Sequence, residues 1–185
     1  MAAIAALWLP ILLSGVVVFI VSAAVWMVMP HHKNDFSPAS DQDALMDAVR
    51  GSTPGPGMYY FPWAAGGENS PEYREMARTG PVGILRVRDP EAVLNMGPAM
   101  LKSVSLYLVV SVFVAYLASV ALAPGAAYLS VFQVTGTAAF MAYGFIGYQE
   151  AIWFGLPARV AFKHSLDGLV YALLTAGIFG WLWPS

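Results

Sequence analysis

All nine basic and all eleven acidic residues of the chain fall in two stretches, residues 33–102 and 150–167. Residues 1–32, 103–149 and 168–185 carry no Asp, Glu, Lys or Arg. A soluble domain spreads charge over its whole surface. Long charge-free runs are what a bilayer demands, because an ionised side chain is expensive in hydrocarbon. The hydrophobic fraction of 58% agrees, since soluble domains fall below it. A helix needs ~20 apolar residues to cross a hydrocarbon core of ~30 Å. Four segments meet that need: residues 4–29, 98–122, 127–149 and 165–183. They are continuous rather than alternating, which argues against a membrane β-barrel. The expected fold is all-α, with transmembrane helix 1 in residues 1–29, an insertion at 30–97, and helices 2–4 in 98–185.

No basic residue precedes Lys33, so the first segment lacks the n-region of a cleaved signal peptide and reads as an anchor. In a four-span arrangement both charged loops share one side, and all nine Lys and Arg lie there. The positive-inside rule then makes those loops cytoplasmic and both termini external. Trp8, Trp181 and Trp183 would mark one interface, and Trp26 and Trp153 the other. Pro124-Gly125 suits a tight turn, so helices 2 and 3 should form an antiparallel hairpin. With no cysteine, disulfides and thiolate sites are excluded. A net charge of −2 gives nucleic-acid binding no electrostatic basis.

The insertion has its own punctuation. Ser40 and Asp43 resemble a capping box, with Gly51 closing a short helix. Ser70 should cap a second helix, with Pro71 in its first turn and Gly80 at its end. Residues 58–61 and 82–87 read as strands that pair across that helix, giving a small α/β cap. The aromatic run Tyr59-Tyr60-Phe61-Pro62-Trp63 fits either the core of that cap or a membrane surface.

Small residues recur at every fourth position on two spans: Ser111, Ala115, Ser119 and Ala123, then Gly168, Ala172, Ala176 and Gly180. Such ladders let helix backbones approach closely, within the bundle or between subunits. Gln133 is the polar residue inside a span that most needs a partner, expected on another helix. No polar path or broken helix of the transporter type is apparent.

The three histidines, His31, His32 and His164, all fall at span ends on the charged side. Asp35 and Asp167 follow His32 and His164 by three residues, and Glu150 ends span 3 on the same side. If spans 1 and 4 are neighbours, these groups converge. Imidazole with carboxylate suits a divalent ion such as zinc, iron or manganese, and Met27 and Met29 beside the His pair would add copper. The bland alternative is a set of interfacial residues, with Asp167 neutralised by Lys163 or His164 and with Arg159 and Lys163 snorkelling from a helix that begins near Pro157. The Gly-rich segment 51–57 lacks the Lys-Ser/Thr of a phosphate loop, and no catalytic motif is present.

Pro30-His31-His32-Lys33-Asn34-Asp35-Phe36, Gly80-Pro81-Val82-Gly83 and Asp167-Gly168-Leu169 resemble segments of a group of small bacterial inner-membrane proteins without an established activity. The resemblance implies that membrane and no mechanism. Two functional classes lead. One is a non-enzymatic membrane protein acting by association, with itself or another membrane subunit. The other is a metal-binding or metal-transporting protein that uses His31, His32, His164, Asp167 and Glu150. A membrane enzyme using the same groups ranks last.

Overall fold

The structure, a computed structural model, describes residues 4–185. The first three residues of the expected 1–29 segment lie outside the described residues. The chain divides into two units, Met1–Asp35 with Gly97–Ser185, and Phe36–Met96.

The first unit is helical. After a 3-10 turn at Ile4–Leu7 come α1 (Trp8–Met27) and, beyond the second unit, α5 (Gly97–Ala121), α6 (Tyr128–Tyr143), α7 (Ile146–Phe154) and α8 (Ala158–Trp181). The second unit holds α2 (Gln42–Ser52), β1 (Gly57–Phe61), α3 (Pro71–Thr79), β2 (Gly83–Val87) and α4 (Pro90–Leu94). Among the described residues, three helical stretches are long and apolar enough to cross a membrane: Ile4–Met27, Gly97–Ala121 and Tyr128–Phe154. The expected fourth span, α8, falls short of that criterion. Its first turns carry Arg159, Lys163, His164 and Asp167.

α8 is nevertheless the centre of its unit. It packs against α1, α6 and α7, and buries ten residues from Val160 to Phe179. Its small residues allow this. A Cβ on Gly168 would lie 2.7 Å from the backbone of Tyr143 and Gly144, and one on Gly180 would lie 2.7 Å from the Tyr128 ring. Gly136 of α6 faces Ala176 in the same way, at 3.1 Å. On α5, Ser111, Ala115 and Ser119 are buried, and Ser14 of α1 donates to the Ser111 hydroxyl at 3.0 Å. The ladder positions Ser111, Ala115, Ser119, Gly168, Ala172 and Ala176 are therefore used between helices of one chain. Ala123 lies outside this packing, exposed in the turn after α5.

The third apolar stretch, expected as one unbroken helix, is interrupted at Gly144-Phe145. α8 fills the notch. Ser165 donates to the Gly144 carbonyl at 2.5 Å, satisfying a backbone group at the interruption. Gly168 then brings the α8 backbone against it. Gly155, at φ 73°, ends α7 in the left-handed conformation, and Pro157 precedes α8. At the other end of the unit, Gly125 turns at φ 74° between α5 and α6. Its amide donates to the Pro184 carbonyl at 2.8 Å, and Trp183 Nε1 donates to the Ala123 carbonyl at 3.0 Å.

In the second unit β1 and β2 pair antiparallel, Gly57 opposite Val87 and Phe61 opposite Gly83, with α3 between them in sequence. Ser70 accepts from the Tyr73 amide, and Gly80 ends α3 at φ 66°. The first helix differs from expectation. Asp41, not Ser40, accepts from the Ala44 amide. The helix also passes Gly51 to Ser52, where the Thr53 amide and hydroxyl both donate to the Val49 carbonyl. The aromatic run does not build a core, since Trp63 is 78% exposed and Phe61 and Tyr60 are also exposed.

Two glycines on α8 separate close packing from helix propensity. Gly168→Ala should lower thermal stability in detergent by about 1–3 kcal/mol through overpacking. Gly177→Ala, whose Cβ would meet nothing closer than 3.9 Å, should be neutral or raise it by up to about 1 kcal/mol. Equal melting temperatures for the two variants would mean that α8 does not sit against Tyr143-Gly144.

Candidate metal centre

Pro30 creates the site by ending α1. The residue before a proline is pushed out of the helical region, and Met29 is extended at ψ 138°. A 3-10 turn over Pro30–His32 follows, closed by Lys33 N to Pro30 O at 3.0 Å and Asp35 N to His32 O at 3.0 Å. This turn presents two consecutive histidines to α8.

α8 holds the turn from its first three helical turns. Arg159 donates to the Asn34 carbonyl at 3.2 Å, and Lys163 to the His31 carbonyl at 2.5 Å. Lys163 also reaches Asp35 Oδ1 at 2.6 Å. Lys163 pairs with Asp35 rather than with Asp167. Asp167, 8% exposed, takes both histidines. His31 Nε2 lies 3.0 Å from Oδ1, and His32 Nε2 lies 2.8 Å from Oδ2. The other nitrogen of His32, Nδ1, lies 2.5 Å from Asp35 Oδ2. The Trp26 ring stacks on His32 with centroids 3.9 Å apart and planes 2° from parallel.

The condition set by the sequence, that the first and last helices be neighbours, is met by α1 against α8. Two groups of side chains have ligand atoms within 4.8 Å of one another: His31, His32 and Asp167, and His32, Asp35 and His164. His164 sits beside the cluster, 5.8 Å from His32 ring to ring. Glu150, half-buried on α7, is in neither group. Met27 and Met29 are exposed at the end of α1. Trp26 was legible only as an interfacial anchor. Its role as a platform for His32 depends on the chain reversing at Pro30.

The polar bookkeeping of His32 defines the chemistry. A neutral imidazole has one N–H and can donate to one carboxylate. His32 faces two. Holding both requires a second proton on the ring, a proton on one of the carboxyls, or a cation at one of the two nitrogens. His31 Nδ1 is buried without a hydrogen-bond partner among the described residues.

Asp35 is the supporting carboxylate, its side chain only 1% exposed. Burial alone would raise its pKa. The Lys163 ammonium and the His32 ring outweigh that and hold it below the ordinary carboxyl value of 3.8. A lowered folded value means that Asp35 stabilises the fold above the unfolded value, and that this contribution is lost as pH falls through the folded one. No protein-family model, curated protein or solved structure matches the chain.

Removing one partner of this pair strands the other. Lys163→Met should destabilise the protein by about 3 kcal/mol, because it leaves a buried carboxylate without its cation. Adding Asp35→Asn should recover much of that loss, measured by chemical unfolding of the single and double variants at neutral pH. Strictly additive losses would show that the two side chains do not interact.

Proposed function

We propose that the protein is a membrane protein that binds a divalent transition metal at the end of its helical bundle. The ligands are His31 Nε2, His32 Nε2 and the Asp167 carboxylate. What carries the reading is one observation: two imidazole nitrogens on adjacent residues meet the two oxygens of a single buried carboxylate. Asp35 supports it. A metal-bound histidine ordinarily donates its other ring N–H to a carboxylate, and Asp35 stands at that position on His32. Two imidazoles and one carboxylate suit zinc, iron(II) or manganese. Three protein ligands leave at least one position for water or another small ligand. The open position gives the site a place to exchange ligands, which a closed structural site lacks.

In the same reading α8 is the fourth span. Its low overall hydropathy has a local cause, because its polar groups point into the bundle. Ser165, Asp167 and Thr175 are all buried. Its outward residues Leu166, Leu169, Val170 and Leu173 are apolar and exposed, as contact with lipid or with another membrane helix requires. Most positions of the small-residue ladders are buried within the chain, so the ladders by themselves give no argument for association.

Titration of the purified, chelator-stripped protein with zinc should give one equivalent bound. Asp167→Asn and His32→Ala should abolish binding, whereas Glu150→Gln should leave it unchanged. Asp35→Asn should weaken it by about 10- to 100-fold, the range for losing a carboxylate behind a ligating histidine. If the stripped protein takes up no zinc, or if Glu150→Gln is as damaging as Asp167→Asn, the proposed ligand set is wrong.

A further inference from the structure

One polar face of the bundle points away from it. Gln133 and Thr137 lie four residues apart on α6, on one side of the helix, and both are exposed. The side chain of neither makes a hydrogen bond with any described residue. The contrast with neighbouring hydroxyls is informative. Thr135 donates to the Val131 carbonyl at 2.7 Å, and Thr175 to the Tyr171 carbonyl at 2.9 Å, the usual way a helix satisfies a threonine in apolar surroundings. Gln133 cannot help itself so easily, because its amide carries two donors and an acceptor.

Depth makes this costly. Gln133 lies five residues past the start of α6 at Tyr128, or about 7.5 Å along the helix, and Thr137 about 13.5 Å. Both fall within a hydrocarbon layer of ~30 Å if the stretch from Tyr128 spans it. Lipid tails offer no hydrogen bond, so a partner must come from protein.

The surface beside them is shaped for one. Gln133 and Thr137 line a groove of about 310 Å³ between α6 and α8, with Gly136 and Ala172 among its lining and Leu169 and Leu173 along α8. Gly136 lets α6 and α8 approach closely, which leaves the groove shallow and accessible to another helix.

We propose that this groove is the contact face between two copies of the chain, related by a two-fold axis normal to the membrane. A two-fold axis of that kind brings equivalent residues together at equal depth. Gln133 would then meet Gln133 of the second copy. A primary amide is self-complementary, so each Gln donates to the other's carbonyl, and the same polar atoms that lipid cannot satisfy are paired. A different membrane protein would need a matching polar residue at the same depth, whereas a second copy supplies it automatically. The pairing is separate from the His31–His32–Asp167 cluster and does not depend on whether that cluster holds metal.

The natural absence of cysteine makes the test direct. Thr137→Cys in native membranes should form a disulfide-linked species of twice the chain mass under diamide. Phe113→Cys, on the exposed side of α5, should stay monomeric under the same conditions. Adding Gln133→Leu to Thr137→Cys should weaken association about 3- to 20-fold, the range for an interhelical hydrogen bond in a membrane. It should leave the thermal unfolding of the monomer in detergent unlowered, since the leucine breaks no contact within the chain. A monomeric Thr137→Cys, equal crosslinking of Phe113→Cys, or a dimer indifferent to Gln133→Leu would overturn the proposal. So would a crosslink to a product of any other mass, which would assign the face to a different protein.

Discussion

Asp167 lies in the third turn of the most buried helix in the bundle, and its carboxylate has little access to water. A charge in that position must be compensated inside the protein or the helix cannot pack. The compensation comes from the far end of the sequence. Residues 30–35 fold back from the end of α1, and their two histidines take both carboxylate oxygens. The backbone of the turn is held by Arg159 and Lys163 from the same helix. The join between α1 and α8 is therefore built on one acidic residue.

α8 is less apolar by composition than the three stretches long enough to cross a membrane. Hydropathy counts a polar residue equally whether it faces lipid or the bundle interior. In α8 three polar residues face inward and are satisfied there: Ser165 by the Gly144 carbonyl, Thr175 by its own helix, Asp167 by the histidines. α6 does the reverse. It is apolar by composition, yet it turns Gln133 and Thr137 outward. Direction, rather than composition, distinguishes a polar residue that completes a bundle from one that calls for a partner.

Much of this was readable before the fold. Charge-free runs mark the apolar helices, because charge is the one thing hydrocarbon excludes. Pro124-Gly125 marks the hairpin and Ser70-Pro71 the start of α3, since each carries its own local geometry. The placement of every histidine on one side points to the cluster. What was not readable depends on tertiary contact. Nothing in the run 128–154 distinguishes Gly144 from other glycines, whereas in the fold Ser165 and Gly168 meet the break there. Spacing alone pairs His164 with Asp167 and Lys163 with Asp167. The fold-back of residues 30–35 gives Asp167 to His31 and His32, and Lys163 to Asp35. Ser40 and Asp41 are both good caps, and only the backbone decides between them.

In the proposed site both imidazoles and the Asp167 carboxylate meet one ion. Zinc-edge X-ray absorption on protein loaded with a single equivalent reads that shell directly. The account predicts nitrogen and oxygen ligands only, at about 2.0–2.2 Å, with outer-shell scattering from two imidazole rings that falls to one in His31→Ala. A shell of oxygen ligands without imidazole scattering, or one unchanged by His31→Ala, would contradict it.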